Sequence, residues 1–386
     1  MPNTLEKELD KISEKCISCD LCQKECTFLR RYGKPKEIAD NFRLSSIADA
    51  VLPYECSLCR LCSAVCPVEL DPAAMFLEMR RSAVDLGLGP FPGHKGMLAY
   101  QRRGVSRRYT WYGLPEGCDT VFFPGCTLPG TRPDVTFNLF QLLEMMIPSI
   151  GIVLDCCTKP SYDVGQDSFF RSMFDEMKSF LLENGVRQVL TACPNCLSIF
   201  DKYGEGLTIR PVLEVMLRNR MPEKKPLGDT ITIHDPCAVR FKPDIHKGVR
   251  QLIASHGFHL EEMPHSKEKT LCCGEGAGVH SVSPKLADNW VNIRKMEAHG
   301  KTVVTYCAGC VSYLGKTMPA LHILDLMFHP KQAIKGKARV SKAPFTYLNR
   351  LKLKKKLKKY LSVRVARERT LSAEEMAGKG DGSGFF

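Results

Sequence analysis

Two features are missing from this 386-residue sequence. Met1-Pro2-Asn3-Thr4-Leu5-Glu6-Lys7 has none of the apolar run of a signal peptide, and no window holds eighteen uninterrupted apolar residues. Secretion and membrane spanning are therefore not expected, and a cytoplasmic location is. The body also lacks an excess of charge: residues 1 to 330 carry 39 basic and 38 acidic side chains, although the whole chain has a net charge of +13. The basicity lies between Lys331 and Arg369, where 15 Lys and Arg stand against one acid, Glu368. With no basic face or aromatic platform elsewhere, no nucleic-acid partner is expected.

What is plentiful is cysteine, with nineteen residues. In a reducing compartment structural disulfides are not expected, so such a number argues for metal binding. Eighteen of the nineteen fall into four sets, and only Cys118, read as a small half-buried residue, is left over.

The first two sets are Cys16-Ile-Ser-Cys19-Asp-Leu-Cys22-Gln-Lys-Glu-Cys26 and Cys56-Ser-Leu-Cys59-Arg-Leu-Cys62-Ser-Ala-Val-Cys66. CxxCxxCxxxC is the bacterial ferredoxin run, and two copies imply two cubane 4Fe-4S clusters, with the fourth cysteine of each run crossing to the other cluster. One would take Cys16, Cys19, Cys22 and Cys66, the other Cys56, Cys59, Cys62 and Cys26. Zinc needs only CxxC pairs and explains neither the third cysteine nor the doubled spacing. The 29 residues between the runs exceed what a compact ferredoxin needs, so a mostly helical two-cluster domain is expected over 1–85. Its first helix carries Leu5, Leu9 and Ile12 on one face, and another spans about 73–86.

The other two sets repeat each other. Cys126, Cys156-Cys157, Cys193 and Cys196 are followed at an offset of roughly 110 to 116 residues by Cys237, Cys272-Cys273, Cys307 and Cys310. Successive side chains of a strand point to opposite faces, so an adjacent pair serves one site only if the backbone turns there. Gly274 permits that turn after the second pair. Short apolar runs (120–123, 150–154, 186–191, 230–234 and 301–305) end just before cysteines and alternate with helix-period stretches such as 168–184. Each copy is thus expected to hold a small parallel or mixed sheet with its site beyond the carboxyl ends of the strands. The Met and Leu stripes of 212–217 and 323–328 read as core. The fold class is α+β multidomain: the ferredoxin-type domain, a Gly-, Pro- and Arg-rich surface linker over 86–117, α/β cysteine-rich repeats over 118–222 and 223–330, and a basic tail over 331–386.

The doubled pattern Cys, Cys-Cys-Gly, Cys-x-x-Cys resembles the cysteine-rich "CCG" domains in the B-type subunit of heterodisulfide reductase. With the ferredoxin-type domain ahead of it, the chain resembles the fused, D-type subunit of that enzyme and the iron–sulfur subunits of glycolate, lactate and glycerol-3-phosphate dehydrogenases. The resemblance implies two noncubane 4Fe-4S clusters, held by Cys126, Cys156, Cys157, Cys193 and Cys196 and by Cys237, Cys272, Cys273, Cys307 and Cys310. It further implies a small-molecule or protein disulfide reduced at the paired cysteines Cys156, Cys157, Cys272 and Cys273. The implied partners are a flavoprotein, a membrane cytochrome or a quinone-reactive subunit, through which the protein would lie at the inner face of the membrane. Thr158 departs from the pattern in standing where the first pair should be followed by glycine. His234, His280 and Lys159 are candidate proton donors to a leaving thiolate. In the tail, Leu353, Leu357, Tyr360 and Leu361 can line one face of a basic helix over 350–361, offering contact with a membrane surface or a partner; a solvated arm is the alternative. Phe385 and Phe386 would order only by docking on a partner.

Overall fold

A computed structural model describes residues 4–218 and 229–370. Phe385 and Phe386, and the residues where the first repeat gives way to the second, lie outside the described residues. Helices Thr4–Lys15, Leu21–Glu25, Thr27–Tyr32, Pro35–Asn41, Ile47–Glu55, Leu61–Ala64 and Pro72–Asp85 form the ferredoxin-type region, with no strand among its described residues. Ile12, Phe28, Met75, Phe76 and Met79 make its core, with Leu5 and Leu9 packed against it.

Two sheets follow. Strands β1 (Trp111–Leu114), β2 (Thr120–Phe123), β3 (Gly151–Leu154), β4 (Gln188–Thr191) and β5 (Thr208–Pro211) belong to the first. Strands β6 (Thr230–His234), β7 (His259–Glu261), β8 (Thr302–Thr305) and β9 (Ala320–His322) make the second, in the order β7-β6-β8-β9 and parallel throughout. The five apolar runs seen in the sequence are β2, β3, β4, β6 and β8. Their burial on both faces, as at Val121, Phe122, Val189 and Ile233, suits sheets covered by helices such as Asp167–Glu183.

Two expectations are corrected. The stretch 86–117 is not a surface linker: it supplies helix Lys95–Val105 and β1, whose residues are all buried. Nor is 331–386 a detached tail as far as residue 370. Helix Phe345–Tyr360 turns Leu353 and Leu357 into the core shared by both repeats, and β10 (Val365–Arg367) closes the first sheet as β10-β1-β3-β2-β4-β5, antiparallel to β1. An apolar stripe fits a membrane or a protein interior equally well, and here the interior takes it. Lys354 is neutralised by Glu368 at 2.8 Å and donates to the Arg107 and Arg108 carbonyls. Among the described residues no helix is long and apolar enough to cross a membrane.

Candidate metal centres

Both CxxCxxC loops curl identically. Ser18 and Asp20 in the first, and Leu58 and Arg60 at the matching places in the second, hold φ at 54, 66, 46 and 59°. Left-handed backbone costs a non-glycine residue about 1–2 kcal/mol. That the cost is met twice at equivalent positions marks loops wound around a common object. Cys16, Cys19, Cys22 and Cys66 line one cavity with Lys34, Pro35 and Leu70, and Cys62 of the second run reaches its wall. Burial and the neighbouring Cys16, Cys19 and Cys66 push the Cys22 thiol up to about 11. Burial, then Cys56, Cys59 and Cys26, raise Cys62 likewise. Cys66 therefore sits with the first run and Cys26 with the second. Backbone N–H groups of Leu58 and Leu70 donate to the Cys56 and Cys66 sulfurs at 3.4 Å.

In the first repeat Cys126, Cys156-Cys157 and Cys193 follow the ends of β2, β3 and β4, and Cys196 lies on the helix after β4. The Cys196 and Cys157 sulfurs are 3.3 Å apart, too far for a disulfide, and all nineteen cysteines are free. Cys157 is pulled down to about 6 by hydrogen bonds from Cys156 and Cys196. Gly125, at φ +76°, lets the chain approach: a Cβ there would stand 3.1 Å from the Cys196 sulfur. The turn after the first pair survives without glycine, because Thr158 itself takes φ 53°.

In the second repeat Cys237 and Cys307 follow β6 and β8, but Cys272-Cys273 hang in a loop well past β7. Gly274 turns that loop at φ +93°, where a Cβ would meet the Ala287 carbonyl oxygen and the Tyr313 ring at 2.6 Å. Its N–H donates to the Cys272 sulfur at 3.3 Å. Hydrogen bonds from Cys237 and Cys273 hold the Cys272 thiol well below its ordinary range. Thiols packed sulfur against sulfur are what a bound cation would deprotonate, and eighteen soft donors suit iron and sulfide. Cys118 stays apart, donating to the Thr120 carbonyl inside the first repeat's core.

The four sets adjoin. Cys59, Cys26, Cys237 and Cys272 share one apolar cluster, which joins the second ferredoxin run to the second repeat. Cys193 meets Cys307, which joins the two repeats. Lys159, paired with Asp163 at 2.6 Å, has Cys237 and Cys157 as neighbours and so stands between the repeats. His234 is buried with its ring and the sulfurs of Cys273 and Cys310 within 4.8 Å of one another. Burial, with Arg294 nearby, pushes it down to about 3, so it carries no proton to give near neutrality. His280 is exposed and bonded to the Tyr313 hydroxyl at 2.7 Å. Sequence reasoning missed Glu275, whose carboxyl lies against Gly309 between Cys307 and Cys310; crowding by protein, then Cys193 and Cys272, push it up to about 7. Its place beside Cys-Cys-Gly was the one available signal.

Comparison with known proteins agrees with this geometry. Residues 12–70 match the 4Fe-4S dicluster domain, and residues 120–201 and 231–315 each match the cysteine-rich domain. The chain is 26% identical to the B-type subunit of a fumarate reductase (CoM/CoB) from Methanothermobacter marburgensis, covering 81% of this chain and 72% of that one. It is 25% identical to the D-type subunit of a dihydromethanophenazine:CoB–CoM heterodisulfide reductase from Methanosarcina barkeri, over 66% and 68%. A probable iron-sulfur-binding oxidoreductase FadF of Bacillus subtilis is 23% identical, over 71% of this chain and 45% of its own. A dicluster domain followed by two cysteine-rich domains, with the four thiol sets in contact, makes this chain an iron–sulfur protein similar to the B- and D-type subunits of heterodisulfide reductase.

Proposed function

We propose that this electron-transfer protein holds four clusters and reduces a disulfide between its two repeats. Cubane clusters would bind at Cys16, Cys19, Cys22 and Cys66 and at Cys56, Cys59, Cys62 and Cys26. Noncubane clusters would bind at the two five-cysteine sets. Once bound, they supply the storage and passage of single electrons. The observation that carries the reading is the unbroken succession of thiol sets, from the Cys16 cavity through Cys59 and Cys272 to the contact of Cys193 with Cys307.

The chain's own residues shape the cleft. Lys159, held by Asp163 between Cys157 and Cys237, could donate a hydrogen bond to a departing thiolate there. Glu275 can hold or release a proton at its carboxyl oxygens. Reduction of a disulfide consumes two electrons and two protons and releases two thiols, so a proton-bearing group is needed there. A flavoprotein or a membrane cytochrome partner would furnish the electrons.

Iron and acid-labile sulfide on protein purified without oxygen test this reading: about sixteen of each per chain are expected for four 4Fe-4S clusters, with disulfide reduction by a reduced viologen dye. Half that content would leave the repeats without a role. A second reading, transfer from a flavin-dependent hydroxyacid or glycerol-3-phosphate dehydrogenase towards quinone, is favoured by the likeness to FadF and, at 22% identity, to an EtfAB:quinone oxidoreductase of Syntrophomonas wolfei. A co-purifying flavoprotein that oxidises such a substrate, with no disulfide turnover, would select it.

A further inference from the structure

Three arginines are buried without a carboxylate. Arg80, Arg240 and Arg350 are 0%, 1% and 4% exposed, and among the described residues none of them forms an ion pair. Arg80 donates only to the carbonyls of Pro53, Cys56, Asp163 and Ala277. Arg240 donates only to the carbonyls of Cys59, Glu268 and Thr270. Arg350 has a single long bond of 3.5 Å to the Gly104 carbonyl, lies over the rings of Tyr100 and Tyr109, and leaves Nη1 buried without a partner. The buried Arg132 and Arg369, by contrast, face Asp325 and Asp155 at 2.7 and 2.6 Å. An isolated buried charge is so costly that proteins supply an opposite one.

All three lie against thiol sets. Arg80 and Arg240 bond the backbone of Cys56 and Cys59, and Arg240 also holds the loop that leads to Cys272. Arg350 and the Cys156 Cβ both lie within 4 Å of one point above Gly104, and Cys126 feels its charge.

We infer that Arg80, Arg240 and Arg350 are the counter-charges of the anionic, thiolate-held clusters, and that Arg350 favours the reduced state of the first repeat's cluster. The inference rests on the four-cluster reading. Adding one electron to a cluster adds one negative charge and breaks no bond, so a fixed neighbouring cation favours the reduced state. In the second repeat Arg294 already faces Glu297, which leaves Arg240 as the unpaired cation beside that site.

The test is a redox titration of the whole anaerobically purified protein with dithionite, followed by EPR, on Arg350→Met, Arg350→Lys and Lys355→Met. Lys355 is exposed on the same helix, where water and salt screen its charge. Arg350→Met should shift the reduction equilibrium of one cluster at least about tenfold towards the oxidised form, 59 mV for a one-electron couple. Arg350→Lys should restore most of it, and Lys355→Met should leave all potentials in place. If Arg350→Met instead loses about four irons, the lysine variant should regain them; loss in both variants would make the role one of packing and overturn the inference. Unchanged potentials with every cluster present would overturn it too, while leaving the four-cluster reading intact. A wild-type protein with two clusters would remove both.

Discussion

The two cysteine-rich repeats carry the same five thiols on unequal scaffolds. In the first, the paired cysteines leave β3 directly, and the preceding Asp155 accepts the Cys156 N–H at 2.7 Å while bonded to the buried Arg369. In the second, the pair lies in an irregular loop. Thr270 Oγ1 donates to the Asp235 carbonyl at 2.9 Å, Arg240 donates to the Thr270 carbonyl at 2.8 Å, and a glycine makes the turn. One pair of cysteines is fastened by a strand; the other sits on a loop tied to Asp235, itself paired with Arg250 at 2.8 Å, and touches the ferredoxin-type region. A duplicated metal centre thus needs its sulfurs placed alike, not its supports.

The comparison is broken most sharply at Arg369. Arg369→Met leaves Asp155 buried without its cation, held only by the Tyr112 hydroxyl and the Cys156 N–H, which should cost about 3 kcal/mol in anaerobic denaturant unfolding and strip iron from the first repeat alone. If iron is lost equally from both, the scaffolds are not independent. Next comes Gly274→Thr, which copies the first repeat into the second. Left-handed backbone and the close approach of Ala287 and Tyr313 should together cost about 2–4 kcal/mol and empty the second site, as read by iron content.

A pH series separates the repeats by what they lean on. His94 packs beneath the second repeat's loop, within about van der Waals contact of Gly278, and burial, with Arg80 nearby, pushes it from an ordinary 6.5 to about 4. The unfolded chain therefore takes up the proton first. Stability is complete above about pH 6.5, falls as the pH drops, and has lost its His94 share below about 4. That share should be about 3 kcal/mol, and His94→Gln should reduce the slope of the unfolding midpoint over this window. The first repeat's loop leans on Tyr54, whose hydroxyl donates to the Val164 carbonyl at 2.9 Å and does not titrate there. The smallest effect is expected for Thr158→Gly. Relief of the positive φ offsets lost packing, so stability should stay within about 1 kcal/mol of wild type, with iron unchanged. A larger loss would mean that the threonine side chain holds the site.

Much of this was legible because cysteine spacing is a local property. The runs before Cys126, Cys156, Cys193, Cys237 and Cys307 end where β2, β3, β4, β6 and β8 end, and helix Pro72–Asp85 falls where its period places it. The counter-charges were not legible. Arg80 meets carbonyls up to 197 positions away, and no periodicity records a bond of that span. The tail misled for another reason: its count of lysines describes the exposed face of helix Phe345–Tyr360, whereas Leu353, Leu357 and Arg350 decide where the helix goes. Thr158 misled through propensity alone, since a tightly built site can hold a threonine where glycine is preferred.

Strand β10 has a consequence in time. Cys156 leaves the ribosome more than two hundred residues ahead of Arg369, yet Asp155 lacks its cation and the edge of β1 stays open until 365–369 arrive. On the four-cluster reading, metal loading of the first repeat would therefore finish only after synthesis has run nearly the length of this chain.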